Sequence, residues 1–213
     1  MQSPTQLGSE QRAQVDRALI DLCFESGFTG LSVEALCRRA GLDRTAFDRQ
    51  YTDLEDCFCQ MLESERDRFF AYLDRALIGQ QRWVDRLRAV AYALLRYLRA
   101  DERRTHVLTI ELYRVGERAT LIWSETIAKR LFGLIDEGRF ELADPDSLTV
   151  TTAVSVGGGI FNQLYPAVGR GSSLPAESEI VPQMMYAAVL PYLGAAAAAR
   201  ELSIPPPPEV APP

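Results

Sequence analysis

Apolar residues recur at helical intervals almost without interruption from Leu54 to Glu201, and the alternation of a half-buried strand competes with them nowhere. A chain patterned this way buries its apolar groups as helix against helix, so the expected fold class is all-α. Breaks near Gly79, Ala100 to Arg103, Val115-Gly116, Ala143 to Pro145 and Gly169 to Pro175 divide the run. Six helices are expected, at about 54 to 78, 82 to 100, 103 to 114, 117 to 139, 146 to 168 and 177 to 201. The segment 82 to 100 shows the rule. Trp83, Leu87, Val90, Leu94, Tyr97 and Leu98 share one face, while Asp85, Arg88, Arg96 and Arg99 share the other.

Ahead of that run, residues 31 to 51 (LSVEALCRRAGLDRTAFDRQY) hold two short amphipathic segments joined by Ala40-Gly41-Leu42. Ser32 and Asp43 are each placed to cap a helix with a side-chain oxygen, and Gly41 supplies the left-handed conformation of a tight helix-to-helix turn. The spacing predicts a helix-turn-helix. Leu36, Leu42, Phe47 and Tyr51 fall on its inner side, and Arg44, Thr45, Asp48 and Arg49 point outward from the second helix. That second helix is the one that enters the major groove of DNA in such motifs.

The stretch VDRALIDLCFESGFTGLSVEALCRRAGLDRTAFDRQYTDLEDCF, within about residues 12 to 60, resembles the N-terminal domain of tetracycline-repressor-like (TetR) bacterial regulators. The likeness rests on an amphipathic first helix ending at Gly27-Phe28, the cap at Ser32, the Ala40-Gly41-Leu42 turn, Tyr51 closing the recognition helix and an acidic start to a long fourth helix. It implies a three-helix DNA-binding domain at 9 to 52 and a six-helix ligand-binding and dimerisation domain at 53 to 203, while the prolines of IPPPPEVAPP mark 204 to 213 as a disordered tail. The partners implied are a double-stranded DNA operator, a small and mainly apolar effector, and a second copy of the chain. Arg44, Thr45 and Arg49 are the expected DNA contacts from the recognition helix, with Ser32 and Arg38 on phosphates.

Two positions depart from the family pattern. Asp48 and Leu54 stand where the family usually carries a Tyr and a Lys that touch phosphates. Residues 1 to 51 hold six Arg against seven acids, a net charge of minus one, where a DNA-binding domain normally shows a basic footprint. Asp43 caps a helix, and Asp53, Glu55 and Asp56 complement a helix dipole. Asp48 has no such structural role in the sequence. The alternative to a ligand-released repressor is therefore a TetR-like binding module with weakened or lost DNA binding.

Ser147 to Gly169 and Ile180 to Ala199, of 23 and 20 residues, carry no charge. Their length raises a membrane reading, but 12 of the 23 residues in the first are Ser, Thr, Asn, Gln, Gly or Pro, and Pro182 and Pro191 interrupt the second. No membrane association is expected. Two helices apolar all round exceed what one small core covers, so the helices at 146 to 168 and 177 to 201 are assigned to a homodimer interface. Gly157-Gly158-Gly159 lacks the Lys and Ser or Thr of a phosphate loop and suits close helix approach instead.

For the effector, His106, Thr109, Ile110 and Tyr113 form a polar and aromatic stripe on one helix, with Tyr97, Ser124, Phe161 and Asn162 as further candidates to line a site. Glu111 reads as surface pairing with Arg114. No catalytic residue, metal ligand or cofactor is expected. Nothing presents a nucleophile beside an oxyanion donor, and a single His leaves zinc spacings unmet. Cys23, Cys37 and Cys57 occupy core-filling positions. The formal charge of minus six, the soluble composition and the lack of a signal peptide place the chain in the cytoplasm.

Overall fold

The computed structural model describes residues 7 to 170 and 173 to 207. Among the described residues there are nine helices and no strands. They are α1 (Ser9–Ser26), α2 (Val33–Ala40), α3 (Arg44–Gln50), α4 (Leu54–Leu77), α5 (Trp83–Ala100), α6 (102–115), α7 (117–136), α8 (Val150–Gly169) and α9 (Glu177–Glu201). Residues 208 to 213 of the Pro-rich tail lie outside the described residues.

The caps act as their residue types require. The Ser32 hydroxyl accepts the Ala35 N–H at 3.2 Å, and an Asp43 carboxylate oxygen accepts the Ala46 N–H at 2.9 Å. Asp53 does the same for Asp56 at 2.7 Å, starting α4. Gly41 ends α2 in the left-handed region at φ 64°, which lets the Leu42 N–H return to the Cys37 carbonyl at 2.9 Å. Two features were not readable from periodicity. Val107–Glu111 and Trp123–Ala128 are wide π-turns inside α6 and α7, and Pro145–Ser147 is a separate short turn capped by Asp144, which delays α8 to Val150.

The chain forms two compact units. The first joins the residues up to Arg66 with Arg103–Trp123. Its core sets Val15, Leu19 and Cys23 of α1 with Leu36, Phe47, Tyr51, Phe58 and Leu62, all nearly sealed from water. Burying a side chain such as Phe47 is worth about 1.5–3 kcal/mol, against the roughly 1 kcal/mol that a cap typically contributes. The four cysteines are reduced and buried. Burial pushes the Cys23 thiol up to about 12 and that of Cys59 to about 11, so neither is poised as a thiolate.

The second unit joins Asp67–Glu102 with the described residues from Ser124 onward. Phe69, Tyr72, Leu73 and Ala76 of α4 meet Val90, Ala93 and Tyr97 of α5, flanked by Ile127, Leu131 and Leu134. α9 lies along α5, and α8 packs on both α7 and α9. Trp83 ties these layers together: its indole N–H donates to the Leu134 carbonyl at 2.8 Å and its ring meets Tyr192 edge-on at 5.3 Å. Gly157 of α8 faces Phe132 so closely that a Cβ would come within 2.3 Å of the ring. Near its end α9 breaks at Gly194 (φ 76°), and the last turn is held by an ion pair with little access to water. Arg88 donates to Glu201 at 2.7 and 3.1 Å and to Asp85 at 2.8 Å, with Arg88 11% and Glu201 6% exposed.

By length and composition Glu177–Glu201 is apolar enough to cross a membrane. Yet Ile180, Val181, Met184, Met185, Ala188, Val189 and Tyr192 are buried in the second unit, which makes it a core helix with one uncovered side.

Candidate nucleic-acid interface

The helix-turn-helix divides its residues by face. Leu36, Cys37, Ala46, Phe47 and Tyr51 are buried and Leu42 is half-buried, while Ser32, Arg38, Arg44, Thr45 and Arg49 are all exposed. The rings of Phe47 and Tyr51 pack together, centres 5.1 Å apart, fixing the roll of α3. All five candidate DNA contacts are therefore open to solvent.

The charges on that surface are not free. Arg44 Nε donates to Asp48 at 2.8 Å, one helical turn on, and Arg44 Nη1 donates to Glu34 of α2 at 2.7 Å. This supplies the role for Asp48 that the sequence did not. Arg39 forms a two-pronged pair with Glu25 at 2.7 and 3.1 Å, which holds the Glu25 carboxyl below its ordinary value, and Arg103 binds Asp21 at 2.7 Å. Arg49 turns back to the Thr45 carbonyl at 3.2 Å. Asp56, in the first turn of α4, is drawn two ways. Burial raises its pKa, but bonds from Arg118 at 2.8 Å, the Thr52 N–H at 3.1 Å and Gln60 at 3.0 Å outweigh that and lower it.

Of the seven effector candidates, His106, Thr109 and Tyr113 lie in the first unit, and Tyr97, Ser124, Phe161 and Asn162 in the second. His106 meets Phe24 edge-on at 5.3 Å, and the Thr109 hydroxyl donates to the Thr105 carbonyl at 2.6 Å. Tyr113 is half exposed. In the second unit Tyr97 is buried between Phe69 and Tyr72, Phe161 pairs with Tyr165, and Ser124 and Asn162 are exposed.

Glu111 departs from its expected surface position. It does pair with Arg114, but it is 1% exposed. Its other oxygen accepts the Phe28 N–H at 2.8 Å, across 83 residues of sequence, and its carboxylate packs on Gly27. A carboxylate is sealed there because the turn after α1 presents a backbone donor to it. The π-turn places Glu111 there; a spacing rule for regular helices points it outward.

No protein-family model matches the chain, and no curated protein matches it. Solved structures do. A fatty acid degradation regulator, FadR, from Bacillus halodurans is 15% identical with a TM-score of 0.70, covering 87% of this chain and 97% of its own. The transcriptional regulator FadR from Bacillus subtilis, in complex with stearoyl-CoA, is 16% identical with a TM-score of 0.69 over 85% and 98%. A TetR-like transcriptional regulator from Rhodococcus sp. RHA1 is 14% identical with a TM-score of 0.63 over 89% and 98%. The chain has the TetR-like all-α fold.

Proposed function

We propose that this chain is a DNA-binding transcriptional regulator, a repressor that a small, mainly apolar effector releases from its operator, working as a homodimer in the cytoplasm. One observation carries the reading. Ser32, Arg38, Arg44, Thr45 and Arg49 are exposed on a capped helix-turn-helix whose Leu36, Cys37, Ala46 and Phe47 are buried. Arg44, Thr45 and Arg49 face DNA from the recognition helix, and Ser32 and Arg38 meet phosphates. The DNA-reading domain comprises residues 9 to 52, and residues 53 to 203 serve effector binding and dimerisation. The chain binds rather than catalyses.

The dimer forms through α8 and α9. Val150, Val154, Gly158, Asn162 and Tyr165 on α8 and Leu190, Ala195 and Ala196 on α9 are exposed, and none carries a charge. Effector contacts in the second unit come from Tyr97, Ser124, Phe161 and Asn162, and those in the first from His106, Thr109 and Tyr113. Because one protein of this fold binds stearoyl-CoA, long-chain acyl-CoA is the first probe.

A second reading is a TetR-like binding module with lost DNA binding. It is favoured by the net charge of minus one over residues 1 to 51 and by the acids already engaged with Arg39 and Arg44. Selection from a random duplex library by the purified full chain separates the two. The regulator enriches a twofold-symmetric sequence, and adding stearoyl-CoA lowers its retention. Absence of any enriched sequence, with binding unchanged in the Arg44→Ala, Arg49→Ala double variant, establishes the binding module instead.

A further inference from the structure

We propose that Glu34, Arg44 and Asp48 act as one unit that reads a G·C base pair in the major groove, with Asp48 as a specificity-determining residue. This rests on the DNA-binding reading above and goes beyond it in naming the base pair.

Three side chains from two helices meet across the Gly41 turn. Arg44 Nε is 2.8 Å from Asp48 Oδ1 and Arg44 Nη1 is 2.7 Å from Glu34 Oε1. All three are about half exposed or more, so fold stability does not account for them; exposed pairs of this kind are worth about 0–1 kcal/mol. In a motif that needs phosphate affinity, two carboxylates beside an arginine carry a cost, since phosphate offers only acceptors and negative charge. A base edge is different. Guanine presents two acceptors, O6 and N7, and its paired cytosine presents an amino donor, N4.

The unit suits that pattern, with Asp48 facing the donor and Glu34 holding the arginine in place. The carboxylates hold the guanidinium by Nε and Nη1, so its long side chain is already ordered before DNA arrives. Its Nη2 hydrogens, which neither bond uses, point to the guanine acceptors together with the second hydrogen on Nη1. The remaining oxygen of Asp48 accepts the one cytosine N4 hydrogen that pairing with guanine leaves free, while Glu34 holds the guanidinium from the other side. Thymine O4 repels that Asp48 oxygen, so an A·T pair is disfavoured at the same step. Arg44 thus contributes to choice of sequence and little to phosphate neutralisation, whereas Arg38 does the reverse.

The test uses the full-length chain, wild type and the Asp48→Ala, Glu34→Ala, Arg44→Ala and Arg38→Ala variants. Each is titrated against the library-selected operator and against operators with single base pairs replaced, at several salt concentrations. Circular dichroism confirms that each exposed-residue variant keeps its helix content. Wild type should prefer G·C over A·T by roughly tenfold or more at one position per half-site. Asp48→Ala and Glu34→Ala should flatten that position alone, and Arg44→Ala should remove the preference while leaving the slope of log affinity against log salt unchanged. Arg38→Ala should lower the slope by about 0.9, since one phosphate is no longer neutralised, and keep the base preference. If Asp48→Ala and Glu34→Ala tighten binding to every sequence equally and preserve each base preference, the carboxylates are a charge mask and not base readers, while the regulator reading stands. A wild-type chain that enriches no sequence overturns both.

Discussion

The outer side of α2 and α3 and the outer side of α8 and α9 are both exposed, yet they are built from opposite residue types. On the first, Glu34, Arg38, Arg39, Asp43, Arg44, Asp48 and Arg49 are charged, and Arg44 holds both Glu34 and Asp48 within 2.8 Å. On the second, Val150, Val154, Gly158, Gly159, Tyr165 and Leu190 carry no charge. Charged groups in water cost the fold nothing, so the first side needs no covering partner. Exposed apolar area costs about 25 cal/mol per Å². The second side would gain by being covered, and the proposed dimer covers it with a second copy of the same side.

The strongest way to break this contrast is to place a charge where there is none. Gly158 faces open space in the single chain, so Gly158→Arg should fold normally yet cost about 3–5 kcal/mol of association by burying an unpaired charge. Light scattering at micromolar concentration should show a dimer for wild type and a monomer for the variant; a dimeric variant would remove α8 from the interface.

The second unit holds a largely buried ion pair between Arg88 and Glu201, and breaking it should cost about as much in folding. Glu201→Ala leaves the largely buried Arg88 without its main partner, and denaturant unfolding should show a loss of roughly 3–5 kcal/mol. An unchanged midpoint would mean that the last turn of α9 is held by packing alone.

Neighbouring glycines sharpen the picture further. Gly157→Ala should lose about 1–3 kcal/mol because its new methyl meets the Phe132 ring, whereas Gly158→Ala meets nothing. Equal melting temperatures for the two alanine variants would contradict the inward and outward assignment.

The smallest effect lies in the first unit. Asp56→Asn should cost no more than about 1 kcal/mol at neutral pH, because its Arg118 partner is half exposed. Since the folded Asp56 pKa is lowered, its contribution is present above the unfolded value and disappears as pH falls through the folded one. Wild type and variant should therefore converge in acid, and a gap that persists there would assign the loss to something other than the ionised carboxylate.

Local rules carried the helix-turn-helix far. Caps at Ser32 and Asp43, the Gly41 turn and the inner positions Leu36, Phe47 and Tyr51 depend on neighbours a few residues apart, and all appear in the structure as the spacing predicts. Helix order and fold class followed from the same short-range periodicity. Three things did not. Glu111 accepts the Phe28 N–H from 83 residues away, through a π-turn that periodicity does not foresee. Glu34 meets Arg44 only because the Gly41 turn sets the angle between two helices. Residues 103 to 123 join the N-terminal helices in one compact unit. Helical spacing and capping are encoded within a turn or two of chain, so a single sequence displays them; which distant carboxylate meets which donor depends on how whole helices pack, and there the fold, rather than any local pattern, chose Glu34 for Arg44 and Phe28 for Glu111.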